Sequence, residues 1–457
     1  MSKEISNSNQ VQRGLTNRHI QMIAIGGSIG TGLFYGSATS IQMAGPAISL
    51  SYVIASIIIF LIMRMLGEMC VEEPVSGSFS YFAKKYCGEF SGFMAGWNYY
   101  ILYLLCAMSE LTAVGIYINY WLPDMPQWLS AFICLAVITT ANLINVRMYG
   151  EMESAMSVIK ISAIIAMIIL GIYLLFSNGT PCPQNLSNLW AHGGFLPNGW
   201  HGLLTSLVIV VFSFGGIELI GMTAAEVQRP EKVLPRAINE VIVRILLFYV
   251  GTMLVLTALF PWNQIGLDGS PFVTIFRDIG ITSASHIFNF VILVAAISVY
   301  NSAIYSNSRM LYSLAKNGQA PKIFTNLSVH GVPILGIFFS SGITLIAVAL
   351  NYIIPKDVFM YILLVTVVAI IMTWFSIIIT HLGFRKAKIK AGLVETLKFK
   401  SLFYPISNYI CLAFLALIVI EMCLMDSMRP AAYLIPIWMI LLYIGFKCMK
   451  AKQNRDK

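Results

Sequence analysis

Charge is what this chain has least of: Asp, Glu, Lys and Arg make up 11% of 457 residues, against 58% hydrophobic. Histidine is almost as rare, with 6 in the chain, and none has a carboxylate or a second histidine at catalytic or ligand spacing. The 8 cysteines are scattered, with no Cys-x-x-Cys pair or Cys/His cluster. That excludes a structural zinc or iron–sulfur site, and the cysteines read as small hydrophobes. Paired aspartates, a zinc motif and a Ser/His dyad are all missing from the apolar segments, so no membrane-embedded enzyme is expected. No catalytic residue, metal ligand or cofactor follows from the motifs. The first residues, Met1 to Asn17, lack an apolar stretch, so no cleavable signal peptide is expected there.

What the chain does have is long apolar runs. A soluble protein cannot hide this much apolar surface, which points to an all-α polytopic membrane protein. Twelve transmembrane spans are expected, at about 20–41, 46–67, 92–120, 127–146, 154–176, 203–225, 241–260, 285–313, 333–352, 358–380, 405–425 and 431–449. With the N-terminus inside, the outer loops hold only Arg277, Lys356 and Arg429 of the 29 Lys and Arg, and Lys160 lies within a span. By the positive-inside rule both termini are cytoplasmic. The net charge of +9 is therefore topology, and no nucleic-acid partner is expected. Residues 1–17 read as an unstructured cytoplasmic tail, and 450–457 as a second tail. Cys182, in the outer loop 177–202, has no disulfide partner there.

Two of the spans are broken. Ile25-Gly26-Gly27-Ser28-Ile29-Gly30-Thr31-Gly32-Leu33-Phe34 places four glycines mid-span, where each loosens a helix by roughly 0.5–1 kcal/mol relative to Ala. Close helix packing and a binding site both fit this stretch alone. Phe212-Ser213-Phe214-Gly215-Gly216-Ile217-Glu218 repeats the pattern in the second half and adds a carboxylate. Two glycine-interrupted spans in corresponding halves point to a transporter's central site.

Ionisable groups within spans are the next signal, because each is costly in hydrocarbon unless paired, protonated or wetted. Glu110 lies mid-span and reads as functional. Lys160 either snorkels to the inner interface or sits at a polar cavity, where it can exchange a proton. Glu421, near an outer end, reads as structural. Arg64 and Glu68, four apart, are expected to pair on one helix face. Ser298-Val299-Tyr300-Asn301-Ser302 fits either a water path or satisfaction between helices.

With these residues in hand, the chain resembles the amino acid permeases of the amino acid–polyamine–organocation superfamily, bacterial amino acid transporter branch, over nearly its whole length. The resemblance rests on Arg18-His19-Ile20-Gln21 with Gly26 to Phe34, on Gly67-Glu68-Met69 with Glu73 to Phe79, and on Phe212 to Glu218. Gly96-Trp97-Asn98-Tyr99, Ser109-Glu110-Leu111-Thr112-Ala113 and Ser298 to Ser302 look like the aromatic amino acid and phenylalanine permeases. Ser154-Ala155-Met156 departs from the bulky aromatic residues usual there.

The resemblance implies a 5+5 inverted repeat (LeuT-like), with helices 1 and 6 broken and two extra C-terminal helices. Its repeats would cover 18–176 and 203–380, and helices 11 and 12 would cover 405–449. It also implies proton-coupled uptake of phenylalanine, tyrosine or tryptophan across the bacterial inner membrane, by a monomer or weak homo-oligomer. Gly30, Thr31 and Gly32 would offer N–H groups to the substrate carboxylate. The carbonyls of Ser28, Phe212 and Gly215 would take its ammonium. Ile29, Met108, Phe212 and Gly216 complete the expected substrate site, and Glu110, Lys160 and Glu218 are the expected proton-coupling or gating groups. The proton is the only coupling species implied. A permease or exchanger for a neutral aliphatic, D- or basic amino acid, and a membrane amino acid sensor, are the alternatives.

Overall fold

The computed structural model describes residues 22, 29–75, 77–144, 146–177, 186–224, 229–265, 270–278, 280–329, 331–354 and 358–455. The tail at 1–17, the candidate site residue Ser28 and Cys182 lie outside the described residues. Among the described residues every regular element is helical. In hydrocarbon the backbone can satisfy itself only within helices or closed barrels. Even the β-branched run Ile57-Ile58-Ile59 is therefore helical.

In chain order the helices are α1 (Thr31–Phe34), α2 (Gly36–Ala44), α3 (Ile48–Glu72), α4 (Ser78–Cys87), α5 (Glu89–Asn119) and α6 (Gln127–Asn142). Then come α7 (Val146–Phe176), α8 (Gly199–Phe212), α9 (Leu219–Thr223), α10 (Pro230–Leu259) and α11 (Pro271–Asp278). The chain continues through α12 (Thr282–Lys316), α13 (Ile334–Ile353), α14 (Val358–Lys390), α15 (Ile406–Leu424) and α16 (Arg429–Arg455).

Eight stretches among the described residues are long and apolar enough to cross a membrane: α2 with α3, α5, Met148–Phe176 of α7, and α12 through α16. Three shorter apolar helices join them, namely α6, α8 and Leu246–Leu259 of α10. The chain is a multi-pass membrane protein.

Burial sorts these helices into layers. In α5, α12 and α14, 78%, 72% and 83% of the central apolar stretch is buried inside the protein, against 11% in α16. The first three form the heart of the bundle, with α5 packed along both α12 and α14. The last presents its side chains outward.

Several helices overrun the apolar runs that announce them. Helix α7 starts at Val146 rather than 154, α10 at Pro230 rather than 241, and α14 continues to Lys390 rather than 380. An apolar run ends where charge begins, but backbone hydrogen bonding continues through Lys386 and Lys388 or Glu231 and Lys232. The short helices α4 and α11 are further additions that no apolar run announces.

At one end of the bundle one expectation is overturned. Glu68 does not turn to Arg64. Its Oε1 lies 2.7 Å from Arg385 Nε, and its Oε2 lies 3.0 Å from His381 Nε2 and accepts from the Ser401 N–H at 2.7 Å. Arg64 instead donates to Asn239 Oδ1 and to the Lys400 carbonyl, with its guanidinium over the Phe399 ring. Asn408 Nδ2 lies 3.0 Å from His381 Nδ1. With Nδ1 accepting there, Nε2–H is left to donate to Glu68. His381 thus has a carboxylate partner after all, one supplied from across the bundle.

Candidate functional site

The two glycine-broken segments meet. A Cβ on Gly32 would stand 2.7 Å from Ser213 Cα and 2.9 Å from Phe212 Cδ1. Only a hydrogen at this position lets α1 lie against the end of α8.

At the first break, Gly30 is extended and a helix begins at Thr31. Thr31 N and Oγ1 both donate to Glu110 Oε1, at 3.4 and 2.9 Å. Just before them, the Ile29 carbonyl accepts from Lys160 Nζ at 3.3 Å. The acid from α5 faces the Thr31 N–H at the start of α1, and the cation from α7 faces the Ile29 carbonyl. This is the pairing that the partial charges of helix ends favour.

At the second break, α8 ends at Phe212 and α9 begins at Leu219. Gly216 turns the chain with φ +103°, a conformation L side chains rarely adopt. The groups this opening releases find partners within the protein, as a membrane interior demands. Tyr249 OH donates to the Ser213 carbonyl at 3.0 Å, and Tyr52 OH meets Ser213 Oγ at 3.1 Å. Tyr103 OH donates to the Gly216 carbonyl at 3.5 Å, and the Gly216 N–H donates to Glu218 Oε1 at 3.3 Å. The Phe212 carbonyl accepts from the Gly215 N–H at 3.0 Å, closing a turn. Gly215 is held close to α14, since a Cβ there would lie 2.8 Å from Ile370 Cδ1.

Lys160 does not snorkel. Its side chain is fully buried, and Nζ donates to Ser298 Oγ at 2.8 Å as well as to Ile29. Ser298 Oγ in turn donates to Glu153 Oε1 at 2.5 Å, and Glu153 Oε1 lies 3.8 Å from Lys160 Nζ. Glu153 is a candidate site residue that sequence reasoning missed. The available signal was its spacing from Lys160, because two turns on a helix bring seven residues back to one face.

Glu110, Glu153 and Glu218 share one further property. Each keeps its Oε2 buried with no hydrogen-bond partner among the described residues.

Other candidates fall in two groups. Gly30, Thr31, Gly32, Phe212, Gly215 and Gly216 gather at the two breaks. Met108 packs apart from the main core, in a small apolar cluster with Ala347, Val358 and Ile362. The polar run on α12 mainly satisfies neighbouring helices. Asn301 Oδ1 accepts from Asn142 at 2.7 Å, Ser302 meets Tyr149 at 3.0 Å and Tyr300 meets Thr344 at 3.4 Å. Ser298 alone of these reaches Lys160.

The arrangement offers backbone donors at one break, backbone acceptors at both, and three buried carboxylates with one lysine around them. That set can hold a small zwitterion and exchange protons, and no pair of groups in it forms a nucleophile with its base.

Comparison with known proteins identifies the family. The family model described as "Amino acid permease" matches residues 19–457. The aromatic amino acid transport protein AroP of Escherichia coli K12 is 51% identical over 438 residues, 96% of this chain and 95% of its own. AroP of Salmonella typhimurium LT2 is 51% identical over 439 residues, 96% of each chain. An uncharacterized transporter, YdgF, of Bacillus subtilis 168 is 45% identical over 456 residues, 99% of each. The chain thus belongs to the amino acid permease family of the amino acid–polyamine–organocation superfamily, and it is a transporter rather than an enzyme.

Proposed function

We propose that this permease is a proton-coupled symporter that imports phenylalanine, tyrosine and tryptophan across the bacterial inner membrane by alternating access. The architecture we propose has twelve spans, with inverted five-helix repeats over 18–176 and 203–380, helices 11 and 12 at 405–449, and both termini cytoplasmic. The observation that carries this reading is the contact of the two breaks at Gly32 and Ser213, with Glu110 and Lys160 on either side of the first. The relatives named for aromatic amino acid transport support the substrate class.

In this reading the substrate carboxylate docks on the N–H groups of Gly30, Thr31 and Gly32. The carbonyls of Phe212 and Gly215, with that of Ser28, take its ammonium, and Phe212 gates the path. Glu110 already occupies the Thr31 N–H. Two carboxylates cannot both stay charged at one such place, so substrate entry requires Glu110 to take up a proton or swing away. Lys160 at the Ile29 carbonyl supplies the positive charge that a coupling cation would, and a proton lost from it loosens the first break. Glu218 stands against Gly216 at the second break, where a change of protonation alters the turn. One charge moving through 100 mV is worth about 2.3 kcal/mol, enough to drive accumulation.

The test is uptake of radiolabelled phenylalanine into proteoliposomes with and without an inward proton gradient. Gradient-dependent accumulation, competed by tyrosine and tryptophan but not by lysine or alanine, is expected. Gradient-driven uptake of a different amino acid would discard the substrate, and no uptake of any amino acid would discard the symporter.

A further inference from the structure

A second site lies away from the two breaks, along the outward-facing helix α16. A groove of about 720 Å³ runs between α16 and the Trp97 end of α5, closed at one end by the turn that follows α12. Trp97 Nε1 donates to the Gln319 carbonyl at 3.1 Å, and Gln453 Nε2 donates to the Gly318 carbonyl at 2.8 Å. These bonds fasten that turn over the groove mouth. The floor is bare at Gly445, where a Cβ would meet Phe93 only at 3.6 Å. A second hollow of about 140 Å³, lined only by apolar residues and Trp438, continues the groove, sharing Trp438 and Leu441 with it.

The groove has a sharp polarity gradient. Trp438 and Leu441 mark the apolar end, and Lys322, Lys452 and Gln453 mark the other. From Trp438 to Lys452, α16 rises about 21 Å at ~1.5 Å per residue. One leaflet, half of a bilayer ~40–45 Å thick, has the same depth. The neighbouring cations are engaged elsewhere. Lys450 pairs with Glu89, and Lys447 lies over the Tyr443 ring. Lys322 and Lys452 have no carboxylate partner among the described residues and both line the groove.

An occupant must therefore be long, apolar over most of its length and anionic at one end. A second copy of this chain would bring an apolar helix face and leave both lysines unmatched. We propose that the groove is a binding site for one anionic phospholipid, its acyl chain along Trp438 and Leu441 and its phosphate between Lys322 and Lys452. Basic pockets between membrane helices on the cytoplasmic side suit such headgroups. The leaflet assigned here rests on the orientation proposed above, but the binding itself does not.

The test is native mass spectrometry of purified, delipidated protein given equal amounts of phosphatidylglycerol and phosphatidylcholine of matched chains. The wild type is expected to retain one phosphatidylglycerol at least fivefold in preference to phosphatidylcholine. Lys322→Ser with Lys452→Ser abolishes that preference, and Gly445→Leu, which fills the groove and keeps both lysines, expels both lipids. Glycerophosphoglycerol, which carries the phosphate without the acyl chains, does not compete. Equal retention of the two lipids by the wild type, or undiminished preference in either variant, overturns the proposal. Because no transport is measured, the result is independent of substrate and coupling.

Discussion

Among the described residues two buried ionic constellations stand out, and they are built on opposite terms. The one at Glu68 is cross-braced: Arg385, His381 and the Ser401 N–H converge on one carboxylate, and Asn408 orients the histidine. These partners come from α3, α14, the segment after it and α15, so the cluster ties four parts of the chain together. The central constellation is looser. Among the described residues Glu110, Glu153 and Glu218 each leave one buried oxygen without a hydrogen-bond donor, and Lys160 Nζ lies 2.8 Å from a bridging serine and 3.8 Å from Glu153 Oε1. Glu68 Oε1 also makes no hydrogen bond, but it lies 2.7 Å from Arg385 Nε, and a buried charge paired in this way resists change because losing one partner strands the other. A partly partnered one has an oxygen ready for a proton or a ligand. We propose that the same residue types serve as a brace in one place and as working parts in the other.

Breaking each constellation separates these roles. The largest expected effect is on transport: Lys160→Met removes the cation at the Ile29 carbonyl and abolishes gradient-driven accumulation, measured in proteoliposomes. Gly32→Val comes next. Its side chain collides with Ser213 and Phe212, an overpacking worth ~1–3 kcal/mol or more, and uptake falls at least several-fold while surface expression persists. Glu68→Gln has the reverse profile. Removing one partner of a buried pair costs about 3–5 kcal/mol, so the detergent melting temperature falls clearly, yet uptake per folded molecule stays near wild type. If Glu68→Gln instead stopped transport without lowering stability, the distinction between brace and working parts would collapse.

The smallest effect belongs to an exposed pair. Lys400 holds the Glu395 carboxyl below its ordinary value. Whatever stability this pair adds is present at neutral pH and lost as pH falls through the carboxylate range. The pair stands in water and is screened by salt. Glu395→Gln therefore leaves both melting temperature and uptake unchanged within error at pH 7.

How legible each constellation was in the sequence follows from the same contrast. Glu110, Lys160 and Glu218 stand out because a charge inside an apolar run is conspicuous, and Gly30, Gly32, Gly215 and Gly216 stand out because glycine is unusual mid-span. The depth of Lys160 was harder to read. Helix α7 begins at Val146, so the lysine sits about four turns in rather than one or two, too far to reach the surface. Glu153 falls just outside the expected span 154–176 for the same reason. The Glu68 brace was invisible: its partners are hundreds of positions away, and spacing rules see only one helix at a time. Arg64, at the right spacing, had better company in Asn239 and the Lys400 carbonyl. Helices α4 and α11 were missed because they are too short and too polar to register as apolar runs.

The most direct test of the central claim compares two assays of Lys160→Met in the same proteoliposomes. One is phenylalanine accumulation under an inward proton gradient, and the other is gradient-free binding and exchange of phenylalanine. The account predicts that accumulation is lost while binding and exchange remain measurable, because the substrate is held by the backbone at the two breaks and the lysine couples it to the proton. Accumulation at the wild-type level in that variant would contradict it.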